Sequence, residues 1–243
     1  MIKKVLFKGI TFNNIKKTDF DRIIKKKGLF VFPSGPGLAS IYSSSKYHNS
    51  LKRADLVFFD SGFFVLLLRF FKNIKVNKFS GYKFLTLFFI YLKNTDKSIF
   101  CIDPNKKVFQ SNKKYLKKLG IKKVYNYLAP EYNPENLIDK KLLSKINKIK
   151  PNFIMTNIGG GTQEILGLYL ITNLRFQTTI LCTGGAISFF TGEQAPIVNL
   201  IDKIYLGWLT RIIFYPIIFL KRYFFAFRLL PIVLKGKVEV KNR

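Results

Sequence analysis

Along the chain, short apolar runs rich in Val, Ile, Leu and Phe alternate with longer stretches whose apolar positions recur at three- and four-residue spacing. That alternation is the pattern of parallel strands buried between helices. It predicts strands at 29–32, 56–59, 98–102, 124–128, 153–157 and 179–182. Helices are expected near 38–52, 63–71, 83–93, 106–119, 134–149 and 163–174. Pro134 and Pro151 fall where helices start or stop, as a residue without a backbone N–H should. The fold class is therefore α/β, a mostly parallel sheet flanked by helices. No internal repeat or low-complexity linker divides the sequence. The one organisational break lies near residue 200, so an α/β domain over 1–200 and a basic, aromatic appendage over 201–243 are expected.

The 243 residues carry 42 Lys and Arg against 13 Asp and Glu, a net charge of +29, yet 48% of them are hydrophobic and 26 are Phe. A disordered basic tail protein would lack that apolar material. Two cysteines, Cys101 and Cys182, exclude a disulfide scaffold and a Cys-rich zinc module. A lone histidine, His48, argues against a multi-histidine metal site or a Ser-His-Asp triad and reads as a helix-surface residue. So positive a chain calls for anionic company: nucleic acid, acidic lipid or phosphorylated substrates. Part of the charge also fits compositional drift, because Lys, Asn, Ile and Phe are abundant together.

The N-terminus has basic residues but no apolar run of signal-peptide length, so a cytoplasmic protein is expected. No stretch reaches the roughly 18 uninterrupted apolar residues of a spanning helix. Residues 204–234 are dominated by Ile, Leu, Phe, Tyr and Trp208, with Arg211, Lys221, Arg222 and Arg228 interspersed, and no acid occurs between Lys203 and Val238. Apolar bulk, aromatic anchors and purely positive charge describe a segment lying on an anionic bilayer. The alternative is a basic helical hairpin packed on the domain.

In an open parallel sheet, ligands bind beyond the carboxyl ends of the strands. There the chain has Pro33-Ser34-Gly35-Pro36-Gly37, Asp60-Ser61-Gly62, Asp103-Pro104, Gly159-Gly160-Gly161-Thr162-Gln163-Glu164 and Thr183-Gly184-Gly185. Glycine-bearing turns at helix starts let backbone N–H groups approach a diphosphate. None is a complete nucleotide fingerprint, and each also fits ordinary strand-to-helix geometry. Asp60 follows an apolar run that would hold it rigidly at this edge, where a carboxylate can act as a general base. It fits equally as an N-cap. Asp103, before Pro104, reads as a structural cap. Glu164 could form a capping pair, and Gln163 could hydrogen-bond a sugar or base.

Taken together and in order, these segments resemble the WecB/TagA/CpsF family of bacterial glycosyltransferases, in a divergent branch. The resemblance rests on Ala54-Asp55 leading to Asp60-Ser61-Gly62, on Lys78 before Ser80-Gly81, and on Gly160-Gly161-Thr162-Gln163-Glu164. It continues through Gly184-Gly185, Phe189, Gly192 and Gln194-Ala195-Pro196, then Gly207-Trp208, Arg211, Pro216 and Arg222-Tyr223. It spans about residues 29 to 230. The sequence departs from the family where Pro33-Ser34-Gly35 replaces Thr-x-Asn, Gly161-Thr162 replaces Pro-Lys, and Lys78, Gln194 and Ile218 stand in place of arginines.

What the resemblance implies is a Rossmann-like, membrane-associated, inverting glycosyltransferase that needs no metal or other cofactor. It would move a sugar of N-acetylmannosamine type, or a related hexose, from a UDP-sugar to an undecaprenyl-diphosphate-linked sugar in cell-surface polysaccharide biosynthesis. Asp60 would be the base. Ser34, Gly35, Lys78, Gly160, Gly161, Gln163, Glu164, Gly184 and Gly185 would bind the donor and its phosphates. Trp208, Arg211, Lys221, Arg222 and Arg228 would meet the lipid diphosphate at the cytoplasmic face of the cell membrane. An exposed apolar tail off the membrane would favour self-association into a homo-oligomer. Two other readings are an inactive family member that scaffolds polysaccharide assembly at the membrane, and a basic nucleic-acid-binding protein. The last is disfavoured, because the lysines spread over many helices rather than gathering on one face with stacking aromatics.

Overall fold

The computed structural model describes residues 3–193, 220–221 and 224–241. Among them one sheet of nine strands forms: β1 (Lys4–Phe7), β2 (Ile10–Asn13), β3 (Gly28–Val31), β4 (Leu56–Phe58), β5 (Ile99–Asp103), β6 (Val124–Leu128), β7 (Phe153–Thr156), β8 (Thr179–Cys182) and β9 (Val238–Lys241). Their spatial order is β6-β5-β7-β8-β3-β4-β2-β1-β9. From β6 across to β2 every pairing is parallel, and β1 runs antiparallel to both β2 and β9. The helices are α1 (Phe20–Ile23), α2 (Gly35–Ala39), α3 (Ser45–Lys52), α4 (Gly62–Lys72), α5 (Gly81–Lys93), α6 (Lys106–Lys118), α7 (Lys140–Ile149), α8 (Thr162–Asn173), α9 (Ser188–Thr191) and α10 (Leu229–Lys235).

Strand alternation divides the core in two. Leu29 and Val31 of β3 face a cluster with α3, α4, α7, α8 and α10. Phe30, with neighbouring Phe32, faces a Phe-rich cluster with α1, α5 and α6. The central strands are buried on both faces, which is why they read as unbroken apolar runs. All six expected strands are present to within one residue at each end.

The remaining three strands were not expected. β1 and β2 form a hairpin around Lys8-Gly9, both at positive φ (51° and 76°), the two-residue geometry whose twist matches that of the paired strands. Two of the expected helices are also shorter than read. The stretch 38–52 is interrupted after Ala39, where Ser40 and Ser43 bond back to Gly37 O and Ser40 O and Ser44 caps α3 through Tyr47 N–H. Short hydroxyl side chains compete in this way with the helical ladder. The stretch 134–149 begins as a single 3₁₀ turn at Pro134–Asn136, and the α-helix starts only after Asp139, whose Oδ1 accepts the Leu142 N–H.

Gly28, at the start of β3, has φ +131°, and a Cβ there would lie 2.2 Å from Asp55 Oδ2. That same oxygen accepts the Leu29 N–H at 2.8 Å. Asp55 therefore staples β4 to β3 at the amino edge of the sheet, opposite the edge where the parallel strands end. Among the described residues no helix is long and apolar enough to cross a membrane.

Candidate active site

The carboxyl edge of the sheet collects the turns after β3, β4, β7 and β8, and Asp60 stands among them. It follows the buried Phe58 and Phe59 and is itself half-buried. Asp60 does not cap the helix that follows it. Ser61 does that, accepting the Phe64 N–H. Asp60 instead reaches across to α5, where its Oδ1 accepts the Gly81 N–H at 2.8 Å. A second contact fixes this crossing: Phe79 N–H donates to Phe59 O at 3.0 Å. The loop carrying Lys78 is thereby drawn alongside the end of β4, and Lys78 lies half-buried there.

Two close approaches bring the other turns to the same place. A Cβ on Gly81 would meet Ala186 Cβ at 3.5 Å and Thr183 Cβ at 3.7 Å, so the start of α5 abuts the turn after β8. A Cβ on Gly35 would come within 3.0 Å of Ser61 Oγ and 3.8 Å of Ala226. The turn after β3 thus touches both the start of α4 and the C-terminal segment. Ser34, half-buried, caps α2 by accepting the Gly37 N–H.

Beneath this rim lies a buried polar network. Glu164 Oε2 accepts the Gly161 N–H at 2.7 Å, and Glu164 Oε1 accepts from Gln163 Nε2 at 3.0 Å. Gln163 Oε1 accepts the Gly184 N–H at 2.7 Å and the Thr156 hydroxyl at 3.3 Å. These two side chains thus lock the turn after β7 to the turn after β8. The capping pair expected for Glu164 is present. Gln163 has its carbonyl turned inward, onto Gly184 and Thr156. Burial is the main cause that raises the Glu164 carboxyl to about 7, against the lowering effect of its hydrogen bonds, with a smaller push from Asp60.

The N–H groups of Gly161 (φ +91°) and Gly184 (φ +55°) are taken by Glu164 and Gln163. Gly160 and Gly185 lie exposed at the rim. Among the described residues, nothing beyond the neighbouring chain lies within 4 Å of a Cβ position at Gly159, Gly160 or Gly161.

Three residues given no role in the sequence reading belong to the same neighbourhood. Tyr47 is buried under Gly37, and its hydroxyl is pushed well up by burial first, then by Glu164 and Asp60. Asn157 and Thr183 stand side by side just past the paired Thr156 and Cys182. Both are buried, and Asn157 Oδ1 and Thr183 Oγ1 have no hydrogen-bond partner among the described residues. A polar residue just past a strand's carboxyl end, with a glycine one or two residues on, is the signal that points to Asn157 and Thr183.

Asp103 is structural, as expected, though not as a cap. Asn105 caps α6. The Asp103 carboxylate is buried and takes amide donors from Asn112, Asn126 and Asn157 at 2.7–2.9 Å. Burial raises its pKa in spite of those donors. His48 is half-buried, with Nε2 2.7 Å from Lys8 O, and ties α3 to the hairpin. Both cysteines are buried and unpaired. Among the described residues no three His, Cys, Asp or Glu side chains gather as a metal ion would need.

Of the residues expected to meet lipid, Trp208, Arg211 and Arg222 lie outside the described residues, as do Gln194, Pro196 and Pro216. Lys221 and Arg228 border an apolar groove of about 780 Å³ completed by Pro36, Phe224, Phe225, Phe227 and Pro231. Arg228 lies over the Phe225 ring at 4.7 Å. Since Pro36 follows Gly35, the groove opens beside the turn that touches Ser61.

A model of one protein family, described as Glycosyl transferase WecG/TagA/CpsF family, matches residues 3–243. No curated protein matches the chain.

Proposed function

The chain belongs to the WecG/TagA/CpsF glycosyltransferase family, and from that premise we propose that it is an inverting transferase in which Asp60 is the base. The donor is a UDP-sugar and the acceptor a sugar on a polyprenyl diphosphate, met at an anionic membrane surface. The observation that carries this reading is the position of Asp60. It is a half-buried carboxylate at the strand edge, fixed at one oxygen by the first N–H of a 13-residue helix and surrounded by the turns after β3 and β8.

In the proposed step the acceptor hydroxyl gives its proton to Asp60 as its oxygen bonds to the anomeric carbon from the face opposite the diphosphate. The bond from that carbon to UDP breaks, and the electron pair leaves with the diphosphate. Asp60 later returns the proton to water. Groups fixed beforehand stabilise the charge that grows on the leaving oxygens. Here these are Lys78, the rim glycines Gly160 and Gly185, and the Ser34 turn, rather than a metal ion. Glu164 and Gln163 act from below by holding Gly161 and Gly184 in shape. Thr183 and Asn157 offer buried polar atoms to the donor.

Asp60→Asn is the test, because an amide oxygen can still accept from Gly81 while the base is lost. Transfer from a UDP-sugar to a short-chain lipid-diphosphate acceptor should fall by at least ~10²-fold with the melting temperature nearly unchanged. Undiminished turnover would remove Asp60 from this role.

A further inference from the structure

We propose that the outward face shared by α4 and the C-terminal segment 224–235 is a membrane-contact surface for anionic lipid, so that the α/β domain itself, not only its tail, rests on the bilayer. The proposal extends the membrane reading above and stands on observations independent of the catalytic one.

On α4, Leu66 and Phe70 lie on the outward side four residues apart with Phe71 beside them, and half-buried Phe63, packed partly on the core, continues the line three residues before Leu66. A helix facing water would carry polar residues there. Phe70 is 73% exposed. Along 224–235 the exposed positions Phe224, Phe227, Pro231 and Leu234 repeat at the same spacing, with Phe224 78% exposed. The two stripes run side by side. Phe63 packs edge-on against Phe227 at 5.4 Å near one end, and Lys72 Nζ donates to Leu234 O at 3.0 Å near the other. Single exposed apolar residues are ordinary. A double stripe of them at helical spacing marks an interaction surface.

Charge identifies the occupant. The segments that build this face, 61–95 and 203–238, contain no Asp or Glu. Arg69, Lys72, Lys75, Lys221, Arg228 and Lys235 flank the stripes. A second copy of the chain placed face to face would press cations on cations, whereas anionic headgroups would neutralise them while the rings enter the acyl boundary. Lysine and arginine stems are suited to that depth. The groove lined by Pro36, Phe227 and Arg228 is continuous with this face and opens beside the Ser34-Gly35 turn.

The test uses the full chain and co-sedimentation with vesicles rich in phosphatidylglycerol, against pure phosphatidylcholine vesicles. Phe70→Ser/Phe71→Ser should lower partitioning onto the anionic vesicles by at least ~10-fold with an unchanged melt. Transfer to a water-soluble short-chain acceptor should persist, which separates this proposal from the assignment of Asp60. Unchanged partitioning would overturn it. A second readout guards against a folding defect. Because Cys101 and Cys182 are buried, Phe70→Cys accepts an environment-sensitive dye selectively. Its emission should shift to the blue on anionic vesicles and be quenched by spin-labelled lipid. A dye that ignores vesicles, or one that responds only to protein concentration as a dimer contact would, refutes the proposal.

Discussion

Glu164 tests the interior of the site through pH. Its carboxyl is buried and accepts two hydrogen bonds, yet burial outweighs them and lifts it from 4.5 to about 7. In an unfolded chain the same group releases its proton near its ordinary value. Between about pH 4.5 and pH 7 the native protein therefore holds a proton that the unfolded chain has lost. Stability from this group is complete below that window, falls as pH rises through it, and is gone above it. The gap corresponds to about 3 kcal/mol at most. Asp103, which burial also raises, tilts the curve the same way, so the informative quantity is a difference. Glu164→Gln has no titrating group, and its amide turns a donor toward one of the two donors that the carboxylate received, a penalty that does not vary with pH. Urea unfolding across this pH range should show the native chain's advantage over Glu164→Gln shrinking by about 2–3 kcal/mol from the acid to the neutral end. A difference that stays flat with pH would refute the argument that burial governs this carboxyl.

Two more substitutions probe how the framework presents the site. Asp55→Ala removes the acceptor for Leu29 N–H at the far edge of the sheet. It should cost about 1–2 kcal/mol in denaturant titration and leave transfer per folded molecule unchanged; a selective loss of turnover would give Asp55 a direct role. In Gly37→Ala the new Cβ would sit 2.7 Å from the hydroxyl of Tyr47, the end of a rigid, buried ring. That should destabilise by about 1–3 kcal/mol, and Tyr47→Phe, which deletes the offending oxygen, should recover part of it. A double-mutant cycle by thermal melting that shows no coupling would place the strain elsewhere.

The sequence showed the parallel sheet clearly because strands buried on both faces cannot hide their apolar runs. It showed the hairpin and β9 poorly. Those strands are four residues long, β1 begins and β9 ends in Lys, and the hairpin turns at Lys8-Gly9 rather than at Asn-Gly or Asp-Gly. Asp60 could be placed at the functional edge from the run before it, but its partner could not. Gly81 lies 21 residues away, and only the crossing of the α4–α5 loop beside Phe59 brings it near. For the same reason Gln163 looked open to a ligand. The N–H of Gly184 that its carbonyl meets belongs to a different strand-helix unit. Tyr47 offered no local signal at all, since its neighbourhood is made by α8 and by the turn after β3.

Consider finally β9, laid along β1 from Val238 to Lys241. It zips the last residues of the chain to its first strand, while Glu193, at the other flank of the undescribed 194–219 stretch, is pinned to Lys107 and Ser111 of α6. Cutting off the segment that carries β9 would uncover the backbone of β1, inviting strand-to-strand aggregation. Shortened versions of this protein would thus precipitate for reasons unrelated to lipid, so its membrane chemistry is best dissected one side chain at a time.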